Sequence, residues 1–251
     1  MDKLIYTAFN TVNNIYDNRA VRAQNLSNIA VPGYKRDLGS KSVGSAFLMS
    51  LETLPSRAMA IQDDNNYFSG EPGTLSQTNI DTDVAISGSG YFLVQGTGDP
   101  SLSRRGDLRV SNDGFLENGS SQKFLDQNLQ PINVPKYRNI KVSDDGFITI
   151  EPLGSLPGTK QVVGKLGLAS AQSGELKKFP DGEIRLIDGT VPPVDQNVSV
   201  LSKHLELSNV NVTEELINSI EDQRAYEINI KMISSASELD EASATLMSLP
   251  T

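Results

Sequence analysis

The sequence predicts an α+β protein, with a mostly antiparallel β domain in the middle and long N- and C-terminal helices that form a coiled-coil-like pair. Three observations predict this class. All 20 glycines lie between Gly33 and Gly189. Residues 1–31 and 194–249 contain neither glycine nor proline, the residues that most often interrupt regular structure. Apolar residues recur at helical spacing in both ends, whereas the middle carries short apolar runs bounded by glycines.

The first 35 residues are predicted to be an N-terminal assembly helix that stops at Pro32-Gly33, a helix-ending pair. Its apolar residues follow the 3-4-3 spacing of a coiled-coil seam, at Ile5, Ala8, Val12 and Ile15. A neighbouring stripe contains Phe9, Tyr16, Ala20 and Ala23. Residues 36–80, rich in Ser, Gly, Asn and Asp, are expected to form an extended connector with little core of its own.

The β domain is predicted to span residues 81–202. The stretch DVAISGSGYFLVQG (83–96) is predicted to form strands bounded by glycines. Four Asp-Gly pairs are each expected to mark a hairpin, since Asp-Gly tolerates the positive φ of tight turns: Asp113-Gly114, Asp145-Gly146, Asp181-Gly182 and Asp188-Gly189. Two near copies, RVSNDGFLE (109–117) and KVSDDGFIT (141–149), should each form strand, turn and strand.

Residues 203–251 are predicted to contain the C-terminal assembly helix, starting at Thr213 with its hydroxyl as the cap. A heptad seam comprises Ala225, Ile228, Met232, Ser235, Leu239, Ala242, Leu246 and Leu249. Two further apolar sides are formed by Tyr226, Ile230 and Ile233, and by Leu216 and Ile220. One partner cannot cover three sides, so the pattern favours contacts with other subunits. A helical hairpin packed on the chain's own β domain is the alternative.

Composition excludes several classes of protein. The net charge of −9 argues against general nucleic-acid binding, and the absence of cysteine excludes disulfides and thiolate zinc sites. No apolar run approaches the roughly 18 residues of a membrane span, so no membrane insertion is expected. The opening MDKLIYTAFN lacks the pattern of a cleaved signal peptide. Residues 1–40 carry net charge +2 and residues 203–251 carry −6, which favours association of the two ends.

The sequence offers no constellation for chemistry, so we expect no catalytic residue, cofactor, metal site or small-molecule substrate. The only histidine, His204, is expected to be structural. The glycines of SGSGYF fit tight turns better than a dinucleotide site, because the third glycine and a following helix are missing. Arg104 and Arg105 are adjacent and are predicted to lie on a solvated strand edge.

Four ordered motifs resemble the signatures of one family. NLSNIAVPGYKRD (25–37) is similar to the signature near the start of the bacterial flagellar rod and hook proteins, and GTLSQTNIDTDVAISGSGYFLV (73–94) to their entry into the β domain. LSRRGDLRVSNDGFL (102–116) resembles their Thr-Arg-x-Gly strands. LELSNVNVTEELINSIEDQRAYEINIKMI (205–233) resembles their C-terminal signature. The opening MDKLIYTAF and the length look most like the proximal rod subunits.

The resemblance implies a structural subunit of the basal-body rod, a drive shaft that spans the periplasm and transmits torque for motility. It implies export by the flagellar type III apparatus without a cleaved signal, and helical assembly with other rod subunits through the terminal helices. A distal rod or hook-type axial subunit, a hook-type cap or adaptor, and a cell-wall-acting enzyme are the alternatives.

We expect two signature groups to add to the seams, one setting the turn after the first helix and one fixing register between subunits. The expected subunit interface is therefore Ile5, Ala8, Val12, Ile15, Asn25, Leu26, Asn28, Gly33, Tyr34, Gln223, Arg224, Ala225, Tyr226, Glu227, Ile228, Met232, Leu239 and Leu246.

Overall fold

The computed structural model describes residues 2–39, 68–96, 98–195 and 197–247. These residues form two compact units. The helical unit contains the described residues up to 27, residues 37–39 and those from 211 onward. The β unit contains residues 28–36 and the described residues between 68 and 210. The class is α+β, as predicted.

The helical unit contains α1 (Asp2–Ser27) and α2 (Val212–Met247). The cap of α2 is Asn211 and not Thr213, since the Asn211 Oδ1 atom accepts a hydrogen bond of 3.0 Å from the Thr213 amide. An amide oxygen one residue before the helix reaches the free amides of the first turn, which explains the earlier start. Neither helix is both long and apolar enough to cross a bilayer.

The first helix ends earlier than predicted. It stops at Ser27, five residues before Pro32, because the chain turns immediately afterwards. That turn is closed by a hydrogen bond of 3.0 Å from the Val31 amide to the Asn28 carbonyl.

Short strands make up the β unit, with one 3-10 turn at Ser173–Glu175. The strands are β1 Leu75–Gln77, β2 Val84–Ser87, β3 Tyr91–Gln95, β4 Pro100–Ser103, β5 Arg109–Val110, β6 Leu116–Glu117, β7 Lys123–Phe124, β8 Tyr137–Val142, β9 Phe147–Pro152, β10 Gln161–Lys165, β11 Leu168–Ala169, β12 Leu176–Lys178, β13 Ile184–Leu186, β14 Ser199–Ser202 and β15 His204–Glu206.

All pairings between these strands are antiparallel. The largest sheet has the order β12-β13-β4-β3-β7-β6-β5, with β11 on β3. Smaller sheets have the orders β10-β9-β8, β14-β2 and β1-β15. The main core surrounds Phe92 and Phe124, whose rings pack edge to face with centroids 5.6 Å apart.

Three of the four Asp-Gly pairs form the predicted hairpins. Gly114, Gly146 and Gly182 have positive φ and join β5 to β6, β8 to β9 and β12 to β13. The first two hairpins are the near copies seen in the sequence. The prediction is wrong for Asp188-Gly189, which closes a tight turn after β13 but joins no pair of the described strands.

The boundaries of the β unit differ from the predicted range of 81–202. On the C-terminal side, β15 pairs with β1, which places His204–Glu206 in a sheet and not in the helical segment. On the N-terminal side, residues 28–36 also belong to the β unit. Within the predicted connector, residues 40–67 lie outside the described residues, and Leu75–Gln77 is a strand.

Candidate subunit interface

Polar side chains join the two helices. The Arg22 guanidinium lies 2.5 Å from Asp222, from Nε to Oδ2. Deeper in the pair, the Asn25 Nδ2 atom donates to Glu215 Oε1 over 3.2 Å. As the residue number increases along α1, from Arg22 to Asn25, the number of the partner on α2 decreases, from Asp222 to Glu215. The two helices therefore run antiparallel. These contacts agree with the association of the two ends that their opposite net charges predict.

The interior of the helix pair contains little apolar material. Among described side chains of the helices, those that are buried are Ala8, Ile15, Asn25, Glu215 and Ala236. Only one of these is a large apolar residue. Among the described side chains, hydrophobic burial within this unit is therefore small compared with the β unit, where two clusters of large apolar side chains are buried.

The predicted seam of α2 faces outward. Ile228, Met232, Leu239 and Leu246 are between 38% and 70% exposed. Ala225 is half-buried, and Leu249 lies outside the described residues. The side of α2 that is sheltered carries Asn218, Asp222, Tyr226, Asn229 and Ile233, which are mostly polar.

Other apolar side chains of the helices are also exposed. On α2 they include Leu216, Ile220 and Ile230, and on α1 they include Phe9 and Tyr16. We call the exposed residues Phe9, Tyr16, Leu216, Ile220, Ile228, Ile230, Met232, Leu239 and Leu246 the outer apolar face. An exposed apolar seam such as Ile228, Met232, Leu239 and Leu246 is typical of a protein–protein interface.

Several residues expected at the interface are instead buried within the chain. Ala8, Ile15 and Asn25 are buried in the helical unit, and Gly33 is buried in the β unit. Asn25 also donates to the Asp37 carbonyl and accepts from the Asp37 amide, each over 2.9 Å. A side chain enclosed in this way holds its own chain together, and a contact of these four residues with a neighbouring subunit stays a prediction.

The remaining predicted residues have mixed positions. Val12, Leu26, Asn28 and Tyr34 are half-buried, and Ile5 lies in α1 with its side chain outside the described residues. In the second signature group, Arg224 is exposed and Tyr226 is half-buried. Gln223 and Glu227 share a hydrogen bond of 3.0 Å on the exposed side of α2.

A buried ionic cluster in the β unit was not predicted. We call Lys35, Arg104 and Glu206 the buried triad; each is at most 5% exposed. Lys35 Nζ lies 2.7 Å from Glu206 Oε1, and Arg104 Nη1 lies 2.9 Å from Glu206 Oε2. The prediction of a solvated strand edge is therefore wrong for Arg104.

One signal in the sequence could have identified Arg104 as buried. It stands two positions after the buried Leu102, and alternating residues of an extended chain point to the same side. Nothing local indicated Lys35 or Glu206 as its neighbours, because the three residues meet only in the folded chain.

Burial changes the proton affinity of two groups at this cluster. Loss of solvation lowers the pKa of Lys35 below 10.5, although the charge of Glu206 and its hydrogen bond raise it in part. Burial also raises the pKa of Tyr91 above 10.0, and the guanidinium of Arg104, 5.1 Å from the ring centroid, opposes that rise. In the described part of the chain, no group of three or more acidic or histidine side chains could hold a metal ion.

Comparison with known proteins gives consistent matches along the chain. The model described as flagellar hook protein FlgE/F/G D1 domain matches residues 85–150. The model described as flagellar basal body rod FlgEFG protein C-terminal matches residues 201–246.

Individual relatives cover almost the whole chain. The flagellar basal-body rod protein FlgG of Buchnera aphidicola subsp. Baizongia pistaciae is 34% identical, over 88% of this chain and 91% of the relative. The rod protein FlgF of Salmonella typhimurium is 29% identical, over 99% of this chain and 100% of the relative. The rod protein FlgG of Bacillus subtilis is 26% identical, over 95% and 97%.

Proposed function

The chain belongs to the flagellar basal-body rod protein family, and we propose that, as a structural subunit of the rod, it binds neighbouring subunits through its outer apolar face. One observation carries this proposal. The heptad seam of α2 is exposed from Ile228 to Leu246, while a mostly polar side of the same helix is sheltered. A helix that turns its apolar side outward needs a partner to cover it.

Burial of apolar side chains also favours contacts between subunits. Full burial of one Leu, Ile, Phe or Met side chain contributes about 1.5–3 kcal/mol. The nine residues of the outer apolar face therefore offer more stabilisation between subunits than the few described apolar residues that are buried inside the helical unit. Because most helical stability in proteins comes from tertiary packing of an apolar face, we expect the helices to become fully ordered only on assembly.

Contacts through the outer apolar face would allow subunits to assemble into a shaft. Coiled-coil-like packing between different faces of neighbouring copies is heterologous, and heterologous contacts build helical stacks. Torque would pass through many helix contacts in parallel. Marginal helices would also suit export of an unfolded chain by the flagellar type III apparatus, without a cleaved signal. The proximal position within the rod stays a prediction.

The experiment that tests the interface replaces two residues of the seam. The double variant Ile228→Ser, Leu239→Ser is expected to remain soluble but to be lost from isolated basal bodies, and cells that carry it should not swim. The matched control is Ser234→Ala, Ser237→Ala, which alters two exposed small residues of the same helix. Incorporation of the seam variant at the wild-type level would contradict the proposal.

The role of the second signature group is tested separately. Tyr226→Ala and Arg224→Gln are expected to reduce rod assembly, because we propose that these side chains fix the register between subunits. Basal bodies isolated from each strain give the readout. Normal assembly and motility in both variants would remove this group from the interface.

A second measurement addresses coupling of helix formation to assembly. Circular dichroism of the dilute, unassembled chain should show less helix than the lengths of α1 and α2 require, 26 and 36 residues. Full helicity together with strong amide protection in the monomer would contradict coupled folding and favour a prefolded adaptor.

A further inference from the structure

Besides the end of β4, which carries Arg104, three chain segments meet at the buried triad, and two of them are the covalent connections of the β unit to the terminal helices. Residues 28–36 follow α1 directly, and residues 206–210 lead to α2. We propose that the polar network joining these segments is a mechanical clamp, which makes both connections carry load together. The inference rests on the proposed rod function only for the origin of that load.

Backbone bonds align the two connecting segments. The Gly33 amide donates to the Glu206 carbonyl over 2.7 Å, and the Asn209 amide donates to the Tyr34 carbonyl over 3.3 Å. The Arg36 amide donates to Asn209 Oδ1 over 2.7 Å. Residue numbers rise together along both segments, so the segments run parallel.

Buried charges reinforce the same contact. Lys35, from the first segment, reaches Glu206 in the second, and both side chains are at most 2% exposed. Arg104 binds the other carboxylate oxygen of Glu206 and also donates to the Gly88 carbonyl over 2.7 Å. The carboxylate thus connects the aligned segments to the ends of β2 and β4.

Residues 69–73 form the third segment and complete the network. Lys35 Nζ and Asn209 Nδ2 both donate to the Glu71 carbonyl, each over 2.8 Å. The Gly73 amide donates to Glu206 Oε1 over 2.9 Å. Lys35, Glu206 and Asn209 therefore each bind two other segments, which distinguishes this network from a simple ion pair.

The direction of the segments determines how force acts on them. The chain leaves toward α1 at the low-numbered end of the first segment and toward α2 at the high-numbered end of the second. When two parallel segments are pulled from opposite ends, their bonds are loaded in shear and must break together. A clamp of this geometry resists separation of the two connections more strongly than the same contacts would if they broke one at a time.

Force measurement on the full chain tests the clamp directly. The sequence contains no cysteine, so Ala30→Cys and Val212→Cys provide unique attachment points at exposed residues on either side of the network. At constant force, the opening rate of this chain is compared with that of the same chain carrying Lys35→Met or Asn209→Ala. Each change removes hydrogen bonds of the clamp without leaving a buried carboxylate unpaired.

We expect either change to raise the opening rate about tenfold, which corresponds to about 1.4 kcal/mol, within the range for the net contribution of an ordinary hydrogen bond. Opening of the clamp should then precede unfolding of the rest of the β unit as a separate step. The control Arg109→Gln removes an ion pair of the β5–β6 hairpin, outside the clamp, and should leave the rate unchanged.

Unchanged opening rates in both clamp variants would overturn the proposal, as would equal acceleration by the control. Urea unfolding of each variant verifies that the β unit remains folded before force is applied. The measurement needs no rod, so its failure would leave the proposed subunit interface standing. Conversely, normal rod incorporation of the seam variant would not affect the clamp.

Discussion

Arg104 and Glu206 lie 102 positions apart in the sequence and form a buried ion pair of 2.9 Å. The same carboxylate binds Lys35 over 2.7 Å. One anion therefore balances two buried cations. Loss of Glu206 should have larger consequences than loss of either basic partner, because a buried charge without a counterion is costly.

Substitution of Glu206 by glutamine should strongly destabilise the β unit. The amide retains the shape of the side chain but leaves two buried cations unbalanced, at an expected cost of about 3–5 kcal/mol. Glu117→Gln is the matched control, because its partner Arg109 is half exposed and such pairs contribute about 1 kcal/mol or less. Urea unfolding followed by tyrosine fluorescence measures both. Equal losses in the two variants would contradict a special role of the triad.

The stability of the β unit should depend on Lys35 at alkaline pH. Burial lowers the pKa of Lys35 in the folded chain below 10.5, so the unfolded chain binds more protons between the folded pKa and 10.5. The contribution of Lys35 to the free energy of unfolding therefore rises with pH through that window. Below the window Lys35 is charged in both states, so the cost of burying its charge is fully present. Relative to Lys35→Met, the wild type should gain stability as pH increases. A constant or falling difference in unfolding free energy would refute this.

Substitution by alanine should destabilise the protein more at Gly33 than at Gly88, another glycine with positive φ. Both Gly33 and Gly88 have positive φ, 67° and 84°, a conformation that costs a residue with Cβ about 1 kcal/mol. A Cβ atom at Gly33 would also overlap the backbone of Arg104 and Arg105, whereas one at Gly88 meets open space. Thermal unfolding should show a larger loss for Gly33→Ala than for Gly88→Ala. Similar losses would mean that the close approach to Arg104 is unimportant.

A fragment spanning residues 28–210 should unfold cooperatively, whereas one spanning 28–205 should be much less stable. The shorter fragment retains Lys35 and Arg104 but lacks Glu206 and Asn209, so it loses the centre of the polar network. Differential scanning calorimetry of the two fragments measures the difference. Equal transition temperatures would place the boundary of the β unit before Glu206.

Features that depend on local chemistry were predictable. The absence of Gly and Pro indicated two helical ends, and both helices are present as α1 and α2. Asp-Gly pairs predicted the β5–β6, β8–β9 and β12–β13 hairpins, because positive φ at the glycine is a local requirement. The cap at Asn211 was missed because Asn211 and Thr213 are both competent caps in sequence.

Features that depend on which surfaces meet were not predictable. Heptad spacing identified an apolar seam on α2 but not the side that faces α1, and the chain shelters the side containing Asp222 and Ala236. Residues of the family signature were expected at the interface, yet Asn25 and Gly33 are buried within the chain. Periodicity shows that a face is apolar, but it does not identify the partner that covers this face.

The sequence by itself determined where this protein forms helices and hairpins and which sides of its helices are apolar, since these depend on residues a few positions apart. Only the tertiary structure brought together Lys35, Arg104 and Glu206, and only it left Ile228 and Leu239 exposed. The physical reason is that charge pairing and burial act through space. They depend on distances between remote segments, which become defined only when the chain is folded.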